Sequence, residues 1–176
     1  MNNSFFTAFL GTKRLSTGTL PEVLAAAFPH REGLGPALLI FAHDSGRQLD
    51  FDWRGTLEEV VQRTLPPAPK TGPGRPKLGV VSTEVTLLPR HWDWLNQQPA
   101  RASGTLRRLV EDAMAREATD PLKRREALGK ILWAVAGNEP GFEEAARALY
   151  AGDGAKLKAL SAGWSGDLPE FVENWS

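Results

Sequence analysis

The sequence contains no cysteine, which excludes disulfides, thiolate metal ligands and a thiol nucleophile in one step. Histidine is nearly as scarce. His30, His43 and His91 stand far apart, and none sits in a metal-ligand spacing such as His-Glu-x-x-His. No apolar run approaches the ~20 residues that span a bilayer. The opening Met1-Asn2-Asn3-Ser4 lacks the basic start of a secretory signal. Net charge is also missing, with 21 Lys+Arg against 21 Asp+Glu. These absences lead to the expectation of a cytoplasmic protein with no membrane segment, no metal and no cofactor.

The zero net charge conceals an uneven distribution. Residues 66–110 hold seven basic residues against Glu84 and Asp93, a net +5, while residues 1–65 carry −1 and residues 111–176 carry −4. A basic centre between neutral and acidic flanks suits an anion-binding module in a soluble scaffold. An ordinary solvated surface is the plainer alternative, and charge alone does not choose between them.

Along the chain the pattern predicts an α+β fold with a small N-terminal sheet. Phe5–Leu10 and the segment after Gly11 read as two short strands, and Ala37–Ala42 as a central one. Gln48–Trp53 alternates, with Leu49, Phe51 and Trp53 on one face and Asp50 and Asp52 on the other. Thr19 and Thr56 open helices over about 20–28 and 56–64. Residues 65–79 form a Pro/Gly linker carrying basic residues, which sustains neither helix nor ladder. A strand and two helices are expected over 80–118, and a C-terminal helical segment over 119–176. Its helices are expected at about 121–136, 142–151 and 155–162, with Asp167 opening a last short one. Leu128, Ile131, Leu132 and Val135 give one buried face at helical spacing.

Within the linker, Gly74-Arg75-Pro76-Lys77 resembles the core of an AT-hook, with Pro73 where a second arginine usually stands. An extended, proline-fixed backbone suits a narrow minor groove, whose negative potential attracts Arg75 and Lys77. The plainer reading is a Pro-rich linker with two basic residues. From Val80 to Met114 the order strand, Pro89, helix, polar break, helix resembles the ribbon-helix-helix family. That resemblance implies that two chains pair one strand each, over Val80–Leu88, and that the ribbon enters the major groove of double-stranded DNA. It implies Ser82, Glu84 and Thr86 as base-reading residues. It also places a DNA phosphate at the second helix N-terminus, capped by Ser103, where Arg101, Arg107 and Arg108 lie close in sequence. One of Leu87 and Leu88 must be absorbed by a bulge or a shifted strand end to keep that register.

Other candidates are weaker. Asp50 and Asp52 could do acid–base work with a histidine, but they alternate with apolar residues as in any half-buried strand. His43-Asp44 reads as a turn. Gly72–Lys77 is not a P-loop, since Lys77 is not followed by Ser or Thr. Gly137–Glu144 reads as a rigid corner between helices or, less simply, a recognition loop. End to end, through Thr7-Ala8-Phe9, Gly79–Leu95 and Gly137–Asp153, the chain resembles an uncharacterised bacterial family, which brings no activity with it. The expected function is a homodimeric, non-enzymatic DNA-binding regulator of transcription. The alternative is a non-catalytic interaction or scaffold protein whose central strand joins an intrachain sheet.

Overall fold

A computed structural model describes residues 5–33, 37–65 and 83–175. Strands β1 (Phe6–Leu10) and β2 (Lys13–Gly18) form a hairpin closed by Gly11-Thr12. Gly11 takes φ +61°, the positive value that a two-residue hairpin turn needs at its first central position. Helix α1 (Leu20–Ala27) and a single 3₁₀ turn, Phe28–His30, follow. Strand β3 (Leu38–Ala42) then returns antiparallel on the other side of β1, and β4 (Gln48–Leu49) completes the order β2-β1-β3-β4.

Both faces of this sheet are covered, which is why its central strands read as apolar runs, broken only by the buried Thr7 in β1. Ala8 and Ile40 point to one side, where Val23, Leu24 and Ala27 of α1 meet Val60 of α2 (Leu57–Thr64). Phe9 and Phe41 point to the other. There they join Leu128, Ile131 and Leu132 of α5 (Pro121–Val135) and Phe142 of α6 (Phe142–Ala151). Leu157 of α7 (Gly154–Ser161) and Phe171 of α8 (Leu168–Asn174) complete that side. Phe9 is fully buried, 5.0 Å from the Phe171 ring and edge-on to it. Residues 1–66 and 120–176 therefore belong to one compact unit, and 67–119 to a second. The C-terminal helices, expected as a segment of their own, are instead the second cover of the N-terminal sheet. They bury the apolar face that one layer of helices leaves open.

Capping explains where the first two helices start. The Thr19 N–H donates to Glu22 Oε2 (2.8 Å) and the Thr56 N–H to Glu59 Oε2 (2.8 Å), each a reciprocal Thr–Glu capping box. The strand expected over Gln48–Trp53 stops after Leu49, although Phe51 and Trp53 still pack toward α1 and α2. Arg63 on α2 donates to the carbonyls of Asp52 and Arg54, and the Arg54 N–H goes to Asp52 Oδ1. Those bonds occupy backbone groups that a longer ladder would use.

In the second unit, α3 (Pro89–Gln97) and α4 (Arg101–Ala118) form the expected helix pair. Gln98 is extended, as the residue before Pro99 must be, and that ends α3. The strand expected over Val80–Leu88 is not present at Thr83–Leu88, which has no ladder partner; residues 80–82 lie outside the described residues. The sheet of the first unit takes all four of its strands from residues 6–49, so it does not recruit Thr83–Leu88.

Truncating Phe9 to alanine removes the side chain that touches both segments of the first unit. The expected loss is about 3–5 kcal/mol, as for other buried phenylalanines. Urea unfolding followed by tryptophan fluorescence and by far-UV circular dichroism should show one shared, lowered midpoint. Loss of sheet signal with the helices retained would contradict a common core.

Candidate nucleic-acid interface

The second unit is built on two helices with little cover. Among the described residues of α3 only Leu95 is buried, while Trp92 and Trp94 are exposed. On α4 only Thr105 is buried, and its hydroxyl has no hydrogen-bond partner. Every residue from Arg107 to Arg116 is exposed. Sequence spacing alone pairs Trp92 with Leu95 on a core face, but only Leu95 is buried, and Trp92 is exposed.

The start of α4 differs from expectation. Ser103 is predicted to cap the helix, yet the helix begins two residues earlier, at Arg101. Arg101 adopts φ +52°, the left-handed region that a non-glycine residue enters at a cost, and its N–H donates to Gln98 O (2.9 Å). This compact turn after Pro99 lets the chain re-enter a helix at once. Ser103 is consequently a first-turn residue, exposed beside N–H groups that have no helical acceptor.

Arg90, Arg101, Arg107 and Arg108 are all exposed, and none has an ion pair among the described residues. Over residues 67–119 the sequence has eight Lys/Arg against five Asp/Glu, a net +3, so the remainder of the chain carries −3. Arg101, Ser103, Arg107 and Arg108 therefore share one helix, with Arg101 and Ser103 in its first turn. Glu84 and Thr86 are exposed on the segment leading to α3. Ser82, Arg75 and Lys77 lie outside the described residues, and so does the AT-hook-like tetrapeptide.

Residues 5–176 match the family described as "Uncharacterized protein conserved in bacteria (DUF2239)". The chain belongs to that family. The match runs through both units. No curated protein and no solved structure matches the chain.

Of the remaining sequence candidates in this DUF2239 chain, Asp50 is exposed without a partner among the described residues, whereas Asp52, His43 and the Gly137–Glu144 corner are held by neighbours. Asp52 is held by Arg54 (2.7 Å) and lies near Arg63 (3.9 Å), and the hydrogen bonds from Arg54 hold its carboxyl well below the usual carboxylate range. His43 shares a 2.5 Å hydrogen bond with the buried Thr7 hydroxyl and lies 4.4 Å from the Trp175 ring. Nothing in the sequence signals that pair, because 132 positions separate His43 from Trp175. The corner at Gly137–Glu144 is rigid by construction. Glu139 Oε2 accepts from the Ser165 N–H (2.9 Å), and Trp164 Nε1 donates to Pro140 O (3.0 Å). Among the described residues no three His, Asp or Glu side chains gather to hold a metal ion. No helix there is long and apolar enough to cross a membrane.

Burial, opposed by Asp44 and assisted by Arg124, pulls His43 from the ordinary 6.5 down to about 4. Between those values the unfolded chain takes up a proton that the folded chain refuses, so stability rises with pH across that window and is complete above it. Denaturant titrations from pH 4 to 7 should show this dependence and its flattening in His43→Leu. Equal pH dependence in the two proteins would mean His43 is not held neutral.

Proposed function

We propose that this chain is a cytoplasmic bacterial DNA-binding protein, a homodimeric regulator that uses its second unit to hold double-stranded DNA. One observation carries the reading: four exposed arginines without counter-ions stand on the α3–α4 pair of a unit whose net charge is +3. Phosphate contacts come from Arg101, Arg108 and the first-turn amides around Ser103, where the helix dipole favours an anion, with Arg107 adjoining them on the helix. Two copies of the segment ending at Leu88 pair as a ribbon, and each gains on association the ladder partner it lacks alone. Ser82, Glu84 and Thr86 then lie toward the bases, and Arg75 and Lys77 supply attraction from the linker. Glu84 on the base-facing side works against phosphate attraction, so the arginines must outweigh it.

A second reading, a protein-binding adaptor without DNA, is favoured by the exposed apolar side chains of the same unit. Trp94 is 49% exposed and Val110 55%. Fluorescence anisotropy with random-sequence duplex DNA at several salt concentrations separates the two. Micromolar binding with a steep salt slope supports the regulator, and no binding at low salt leaves the adaptor.

Arg108→Ala should weaken binding to every sequence and flatten the slope of log K against log salt by about 1 for each phosphate no longer neutralised. An unchanged slope would remove Arg108 from the interface. Arg75→Ala should cost more affinity on A·T-rich duplexes than on G·C-rich ones, because the narrow A-tract minor groove holds arginine more strongly. Equal losses on both would leave residues 65–79 as a linker only.

A further inference from the structure

Helix α4 is amphipathic, yet its apolar stripe lies open from Val110 onward, with Leu106 half-buried. At 100° per residue, Leu106, Val110, Ala113 and Met114 fall within an arc of about 100°. Val110 is 55% and Met114 46% exposed. The edges of the stripe are not equivalent. Arg107 and Glu111 stand together on one edge, and Leu109 on the other. Arg107 and Glu111 are four residues apart but form no ion pair with each other, and Arg before Glu is the less favourable order along a helix. Both charges are thus free to meet a partner.

We infer that α4 of a second copy packs antiparallel on this stripe, about a two-fold axis near Val110, with Arg107 of each chain facing Glu111 of the other. The inference rests on the homodimer part of the reading above and names the surface that joins the two chains. An antiparallel pair with a two-fold axis brings like edge to like edge. With 1.5 Å of rise per residue, Arg107 and the opposing Glu111 then differ by about 3 Å along the helix axis, within reach of an ion pair. Leu106 lies across from Met114, and Val110 meets its own copy. A parallel pair would bring unlike edges together and set Arg107 against Leu109, with no charge to meet it. Antiparallel helices also align their dipoles favourably. The stripe alone falls short of the ~800 Å² that a stable interface buries on each partner, so paired strands or α3 must contribute the remainder.

Sedimentation velocity of the full chain without DNA, over a concentration series, tests the assignment. The native chain should dimerise, and Val110→Lys should raise the dissociation constant by at least about 30-fold, since it places a lysine in the seam. Val110 is exposed in the single chain, so folding, checked by circular dichroism, should be unchanged. Arg107→Glu and Glu111→Arg should each weaken the dimer by about tenfold, because symmetry doubles the effect of every broken pair. The two together should restore it, which a packing defect alone cannot do. A Val110→Lys chain that remains as dimeric as the native one would overturn the α4 surface while leaving the homodimer intact. A native chain that stays monomeric at about 100 μM would overturn both. DNA binding is read separately by anisotropy, so its absence in a dimeric chain strikes only the regulator.

Discussion

The two-sided burial of β1 and β3 is the constraint on which the first unit depends. Alternate residues of each strand serve different cores, with Ala8 and Ile40 facing α1 and α2, and Phe9 and Phe41 facing α5 to α8. A one-residue slip of either strand would exchange the two sets and mismatch both cores. The helices after residue 120 are accordingly not an appendage. They close the sheet, and polar ties reinforce the closure. The Arg14 N–H donates to Asp167 Oδ2 (2.9 Å), Asp167 N–H to Thr12 O (3.1 Å), and Trp175 Nε1 to Arg124 O (3.2 Å). Each fixes a late helix to an early strand or to another helix.

The second unit has the opposite physics. Its two helices bury Leu95 and Thr105 and expose tryptophans, a valine and a methionine. Among the described residues, Arg90, Arg101, Arg107 and Arg108 lack counter-ions, whereas Arg14, Arg31, Arg54, Arg63 and Arg147 in the first unit are paired and Arg47, Arg124 and Arg125 are not. Exposed apolar surface and uncompensated charge in one small unit is what an associating surface requires, since both are costs that only a partner offsets. On the reading proposed above, the second unit is where the chain meets other molecules.

Much of the secondary structure was legible because its signals are local. Thr19 and Thr56 with a glutamate three residues on, Pro89 and Pro121 at helix starts, and Gly11 and Gly152 at positive φ act within a few residues. The α6 boundaries follow from the Gly141 entry and the Gly152 stop. Legibility ended where a distant group or a rare conformation decided. Arg63 ends the β4 ladder from another element. Arg101 starts α4 early through a backbone angle that its residue type disfavours. The candidate phosphate-contacting residues Arg101, Ser103, Arg107 and Arg108 came from the ribbon-helix-helix resemblance and from their closeness in sequence. The His43–Thr7–Trp175 cluster was not, since no spacing links its members.

The amino-acid sequence by itself determined the α+β class, the helix starts, the basic centre and the break at the Pro/Gly segment. Each is a property of residue type and near-neighbour spacing, which the chain carries unfolded or folded. Only the tertiary structure decided that residues 1–66 and 120–176 are one unit, that Thr83–Leu88 stays outside the sheet, and that the α4 stripe is uncovered from Val110 onward. Those outcomes depend on which apolar faces meet, and a one-dimensional pattern marks a face as apolar without naming what covers it.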